Sequence, residues 1–222
     1  MNNTERRALL KILEATTDND KENKEYRREF ASISRPIVDE LIALGYEVES
    51  LDELRHVGRP WKIALPVLLK WLPTVQHSGV KESIVRGLSV PWVGNRATRP
   101  LIDEFKKSPP ASGLGWAIGN ALSIVSIEGF EKQIIELSKN SAYGRARQMI
   151  VLGLGRLRTP EAEEAAISLL GDEDVKLHAI IALRKMNSRR AVPAIEKLLN
   201  DKRSIIRREA RKAITKIVGV PN

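Results

Sequence analysis

Five segments of the chain repeat one short pattern, in which an apolar residue precedes a glycine or alanine by three positions and a further apolar residue by four. Offsets of three and four residues lie on one face of an α-helix. Successive copies are 34, 32, 29 and 31 residues apart, a period that is typical of helical solenoids. The five copies are Ile84-Gly87-Leu88, Ile118-Ala121-Leu122, Ile150-Gly153-Leu154, Ala179-Ala182-Leu183 and Ala210-Ala213-Ile214.

A second apolar stripe precedes each copy and predicts a partner helix. Proline stands just before this stripe at Pro66, Pro100 and Pro193, where a helix tolerates it because its first N–H groups have no intrahelical partner. Each repeat is therefore predicted to fold as helix A, a short turn and helix B. The pattern predicts an all-α protein, an α-solenoid of about five helix pairs, with repeats at 61–94, 95–129, 130–160, 161–189 and 190–218.

The middle position of every copy is glycine or alanine. A glycine inside a helix costs about 1 kcal/mol relative to alanine, so its use there needs a packing reason. A small side chain allows a neighbouring helix to approach closely. We therefore expect a neighbouring helix to pack closely at these positions.

Two C-terminal segments resemble a HEAT-type repeat of the phycobilisome lyase-like form. Residues 169–183 contain its small polar turn, a Val-Lys pair and alanines before a leucine, and residues 191–199 resemble its proline-containing helix A. The resemblance is strong over 160–218, fair over 62–159 and poor over 1–60. It implies a right-handed solenoid, bacterial in appearance, whose B helices line the concave side and which binds a partner without catalysing a reaction.

Residues 1–60 do not fit the repeat. Apolar spacing predicts helices near residues 4–15, 25–33 and 36–44, and the charged run at 18–24 is expected to form a turn or mobile loop. One interpretation is a helical N-terminal cap that covers the apolar face of the first repeat. The other is a separate recognition module.

Composition narrows the functional classes. The chain of 222 residues has no cysteine, no apolar run long enough for a membrane helix and no signal-peptide core, so a soluble cytoplasmic protein is expected. Its three histidines are scattered, and their spacing predicts neither a metal site nor a cofactor. The net charge of +9 is uneven, because residues 1–60 hold 10 basic and 13 acidic side chains whereas residues 130–222 hold 19 and 11.

If the B helices line the concave side, a partner protein would contact the helix B residues that lie away from the core stripe. The stripe of each helix B begins with an apolar residue four positions before its copy of the pattern, namely Val80, Leu114, Ala146, Val175 or Ile206. The partner-facing positions fall two and six residues after it. They change along the chain from charged and aromatic to apolar. The predicted partner-binding residues are Glu82, Arg86, Trp116, Asn120, Gln148, Leu152, Leu177 and Ile181.

The last two repeats are strongly basic. Like charges one helical turn apart oppose each other slightly, so folding alone does not favour such clustering. The residues could bind nucleic acid or another acidic partner, or they could form a polar end cap that prevents stacking. The predicted basic patch consists of Arg184, Arg207, Arg208, Arg211 and Lys212.

No catalytic residue is predicted. One enzymatic alternative comes from the resemblance of certain DNA glycosylases to HEAT-type solenoids. Such an enzyme needs an aromatic residue and a carboxylate to hold an extruded base. Trp116 and Glu82 occupy equivalent positions in adjacent B helices and are the candidates for those roles.

Overall fold

The computed structural model describes residues 3–56 and 61–219, and every regular element in these ranges is helical, which confirms the predicted all-α class. The α-helices are α1 (Asn3–Ala43), α2 (Leu65–Trp71), α3 (Ser78–Leu88), α4 (Thr98–Lys107), α5 (Gly113–Ile124), α6 (Glu131–Lys139), α7 (Gln148–Leu154), α8 (Pro160–Ser168), α9 (Lys176–Met186), α10 (Val192–Glu196) and α11 (Ser204–Val218). Short 3₁₀ segments occur at Leu51–His56, Lys62–Ala64, Pro91–Val93, Ser141–Arg147, Leu169–Gly171, Arg189–Ala191 and Lys197–Asn200.

From α2 onward, consecutive helices pack as pairs of one A helix and one B helix. The B helices α3, α5, α7, α9 and α11 also pack each against the next, so they form one continuous layer. Contacts that run mainly between neighbouring pairs define an α-solenoid. The predicted HEAT-like solenoid is therefore confirmed, whereas its right-handed twist and the count of five repeats stay predictions.

The predicted stripe forms the core of the B layer. The first residue of each copy of the pattern is at most 1% exposed: Ile84, Ile118, Ile150, Ala179 and Ala210. Burial of these side chains along one face explains why each segment is helical in the folded chain even where glycines lower its intrinsic propensity.

Glycines allow adjacent B helices to lie close together. A Cβ atom built on Gly119 of α5 would lie 3.0 Å from the backbone oxygen of Ala146, in the 3₁₀ segment just before helix B of the next repeat. One on Gly153 of α7 would lie 3.3 Å from the Cα atom of Ser123 in α5. The expected close approach therefore occurs at Gly153, whereas Gly119 lies outside the predicted positions. A larger side chain at either glycine would force the helices apart.

Ion pairs join successive repeats in the interior. The Arg147 side chain, 1% exposed, donates to the Ser138 carbonyl at 3.0 Å and to an Asp172 carboxylate oxygen at 2.5 Å. One repeat later, the buried Lys176 ammonium donates to Asp201 at 2.9 Å. Each cation therefore connects its own repeat to the polar turn of the following one.

The N-terminal region differs from the expected series of short helices. Helix α1 runs without a break from Asn3 to Ala43, so the prediction of a turn or loop at residues 18–24 is wrong. That run is polar but contains neither glycine nor proline, the residues that most strongly end helices. Helix α1 also continues through Pro36, directly before its buried residues Ile37, Val38 and Leu41.

The C-terminal part of α1 and the segment Leu51–His56 pack on the first helix pair. Helix α1 contacts α2 and α3, and Leu51–His56 contacts α3. Ile37, Leu41, Leu51 and Leu54 are at most 2% exposed. These residues therefore extend the core of the solenoid beyond the first repeat.

Candidate functional site

The predicted partner-binding residues all lie on the B layer, on α3, α5, α7 and α9, and none of them is buried. Trp116 is 40% exposed and Arg86 is also exposed. The other six are half-buried: Glu82, Asn120, Gln148, Leu152, Leu177 and Ile181.

Internal contacts engage several of these side chains. Glu82 and Arg86 form an ion pair within α3, with carboxylate–guanidinium distances of 3.0 and 2.5 Å. Gln148 donates to the Asp174 carbonyl at 2.9 Å, which links α7 to the turn before α9. Leu177 packs against the core. The surface most available to a partner is therefore the stretch from Trp116 through Leu152 to Ile181.

The ion pair bears on the glycosylase alternative. A carboxylate that assists base excision must face the flipped base, whereas the Glu82 carboxylate accepts hydrogen bonds from the Arg86 guanidinium on its own helix. Trp116 lies on the next B helix.

Among the described residues, no group of three or more His, Cys, Asp or Glu side chains is placed to hold a metal ion.

The basic residues of the last two repeats do not form one continuous patch, because some of them are engaged in contacts within the chain. Arg190 pairs with Glu163 at 3.0 Å and Glu164 at 2.8 Å, both on helix α8. Arg207 donates to the carbonyl oxygens of Asp201 and Lys202 in the turn before α11. Of the predicted patch, Arg207 therefore stabilises a turn and does not join the other cations.

Three residues of the predicted patch converge on one groove. Arg184 of α9 and Arg211 and Lys212 of α11 line a cavity of about 870 Å³ between the C-terminal halves of these helices. Lys185, Thr215, Lys216 and Gly219 complete its lining. Arg208 lies outside this lining and approaches Glu209 at 3.6 Å. We call this cavity the cationic groove.

Lys216 was missed by the sequence prediction. It follows Lys212 by four residues and therefore lies one turn further along the same side of α11. It also corresponds to Lys185 in the previous repeat, because the two residues follow the stripe positions Ile206 and Val175 by the same interval. This spacing was the signal that could have identified it.

One carboxylate balances part of the charge beside the groove. Glu209, 7% exposed, accepts from Arg184 and Lys212, each at 3.0 Å. Burial would raise the pKa of Glu209, but the Lys212 hydrogen bond and the charges of Lys212, Arg184 and Arg208 outweigh it and lower the pKa. Glu209 therefore stays ionised at neutral pH and holds Arg184 and Lys212 in place.

Comparison with known proteins finds a family likeness in the C-terminal part of the chain, which includes most residues of the cationic groove. Residues 131–215 match the family model of HEAT repeats, from the first residue of α6 to within α11. No curated protein matches the chain significantly. Among the described residues, no helix is both long enough and apolar enough to cross a membrane. The segment from α6 to α11 is therefore similar to HEAT repeats, in agreement with its fold.

Proposed function

We propose that this chain is a non-catalytic scaffold that binds a partner protein on its layer of B helices, with Trp116 at the centre of the contact. The observation that carries the proposal is the 40% exposure of Trp116 on an otherwise well-packed helix, α5. Tryptophan is enriched among the residues that dominate protein–protein binding energy, because a partner can bury its large apolar surface.

The surroundings of Trp116 support a protein partner. Asn120 lies one turn further along α5, and Leu152 and Ile181 are half-buried apolar residues at equivalent positions of α7 and α9. An exposed aromatic residue beside apolar and polar side chains is the usual composition of a protein interface. HEAT repeats commonly act as interaction scaffolds, which agrees with this use of the surface.

The N-terminal region fits the role of a cap in this proposal. Residues of α1 and of Leu51–His56 bury their apolar side chains against the first helix pair. A solenoid needs such cover because its terminal repeat would otherwise expose a core face.

Substitution of Trp116 tests the proposal. The wild-type chain, Trp116→Ala and the control Ile63→Ala are each immobilised and exposed to lysate of the source organism. The control removes a large apolar side chain that is 65% exposed and lies in a 3₁₀ segment outside the B layer. We expect the wild type and the control to retain one protein in stoichiometric amount, and Trp116→Ala to lose it.

Titration of the identified protein then gives the magnitude. Truncation of a central aromatic residue costs 2 kcal/mol or more, which corresponds to a Kd about thirtyfold weaker for Trp116→Ala. Unchanged thermal unfolding of both variants shows that the fold is intact. An unaltered Kd for Trp116→Ala would exclude this surface as the binding site.

A further inference from the structure

We propose that the cationic groove binds an acidic segment of a polypeptide, and this inference rests on the proposed scaffold function. The groove combines five cationic side chains from two helices: Arg184 and Lys185 of α9, and Arg211, Lys212 and Lys216 of α11. It is therefore a concave site with one sign of charge, and such a site concentrates its field on a ligand of opposite charge.

Only part of this charge is neutralised within the chain. Glu209 pairs with Arg184 and Lys212. In the part of the chain that the structure describes, no ion pair or hydrogen bond joins Lys185, Arg211 or Lys216 to another side chain. These three cations line the groove and remain available to a ligand.

The fold does not require this arrangement. The buried face of α11 consists mainly of Ile206, Ala210, Ala213 and Ile217, and none of the groove cations belongs to it. Arg211 and Lys212 are exposed, as are Lys185 and Lys216. Like charges about one turn apart on a helix destabilise it slightly, so their convergence is better explained by a ligand than by stability.

The groove continues the surface proposed for the partner protein. Lys212 occupies in α11 the position that Ile181 occupies in α9 and Leu152 in α7, six residues after the residue that begins each stripe. The groove lies at the C-terminal end of this row. A partner seated on Trp116 and Leu152 could therefore extend an acidic segment into the groove.

One feature favours a polypeptide over nucleic acid. Single-stranded nucleic acids are usually held by aromatic side chains that stack on the bases, and no aromatic residue follows Tyr143 in the sequence. The groove residues supply charge without a stacking surface, which suits carboxylate side chains better than bases.

Fluorescence anisotropy with two probes of similar negative charge tests this inference. The probes are labelled decaglutamate and a labelled strand of ten thymidine nucleotides. The groove variant combines Lys185→Glu, Arg211→Glu and Lys216→Glu. The control variant combines Lys106→Glu, Lys132→Glu and Lys197→Glu, which alters the net charge equally at exposed positions outside the groove.

We expect wild type to bind decaglutamate more tightly than the thymidine strand. We also expect the groove variant to weaken decaglutamate binding at least tenfold, and the control variant to weaken it less than threefold. Equal weakening by both variants would show a nonspecific effect of net charge and would overturn the inference. Tighter binding of the thymidine strand, lost in the groove variant, would assign the groove to nucleic acid instead.

Two further measurements separate this inference from the scaffold proposal. Trp116→Ala should leave decaglutamate binding unchanged, because Trp116 does not line the groove. If the groove variant fails the peptide test but Trp116 still governs partner capture, the inference falls and the scaffold function stands. If the glutamate variant does not fold, alanine at the same three positions is used, and at least threefold weakening is expected.

Discussion

At the scale of single residues, buried cations join the repeats of this solenoid. An unpaired buried charge is costly, so each cation needs an acidic or carbonyl partner in place. Lys81 pairs with Glu104 of the next repeat, and Arg147 and Lys176 pair with Asp172 and Asp201 in the same way. All three cations directly follow the apolar residue that begins the helix B stripe.

Among the carboxylates that pair with these buried cations, Asp201 should change the free energy of unfolding measurably when it is protonated. A hydrogen bond from the Arg203 backbone N–H, together with one from Lys176, lowers the pKa of Asp201 from 3.8 to about 2. Because the folded-state pKa is depressed, the stabilisation is present above about pH 3.8 and is lost as the pH falls towards 2. Asp201→Asn should lower the free energy of unfolding at pH 7 by about 1–2 kcal/mol.

Urea unfolding between pH 7 and pH 2 measures this difference. The gap between wild type and Asp201→Asn should close as the pH falls below 4, because the wild-type carboxylate is then increasingly protonated. The control Asp103→Asn removes an exposed pair with Arg99 at 3.5 Å and should cost less than about 0.5 kcal/mol. A gap that is the same at pH 7 and pH 2 would contradict the assigned role.

At the scale of helices, the spacing of the B layer depends on glycine. Gly115 and Gly119 of α5 face Ala146, and Gly155, directly after α7, faces Ala182. In each case a Cβ atom would lie at 3.0 Å from an atom of the neighbouring repeat. At Gly115 and Gly119, close packing therefore offsets the low helix propensity of glycine.

Alanine at Gly119 should be destabilising although it favours the helix. The new Cβ atom would meet the backbone oxygen of Ala146, which cannot rotate away as a side chain can. We expect a loss of about 1–3 kcal/mol in the free energy of unfolding, measured by urea denaturation. Gly113→Ala is the matched control, because no atom lies within 4 Å of its Cβ position. It should be neutral or slightly stabilising, and an equal loss at both sites would refute the packing explanation.

At the scale of the whole molecule, stability should be distributed along the chain. Helix pairs contact mainly their neighbours, so a defect in one pair has no direct route to a distant one. Such a protein should open from the damaged end and need not unfold as a single unit.

Hydrogen exchange on two equivalent core variants tests this expectation. Ile206 of α11 and Ile84 of α3 are both 0% exposed, and truncation of a buried isoleucine to alanine costs about 2–5 kcal/mol. Ile206→Ala should accelerate amide exchange in α10 and α11 and leave α3 and α5 protected, and Ile84→Ala should do the reverse. Uniform acceleration in both variants would show instead that the chain unfolds as one cooperative body.

Candidate residues whose position depends on nearby sequence could be predicted, whereas those that depend on distant contacts could not. The face on which the predicted partner-binding residues lie depends only on their spacing along each helix. All eight of them therefore lie at accessible positions of the B layer. The basic patch depends on which counterions reach each cation. Arg207 and Arg184 are equally basic in sequence, yet Arg207 holds its own turn and Arg184 lines the groove.

The sequence by itself determined the helical class, the alternation of A and B helices and the residues of the core, because these follow from apolar spacing within about ten residues. It could not decide that α1 continues through Pro36, because that continuity depends on the burial of Ile37, Val38 and Leu41 on the first helix pair. Nor could it decide which cations converge. The cationic groove exists because α9 and α11, separated by a whole repeat in sequence, lie side by side in the fold.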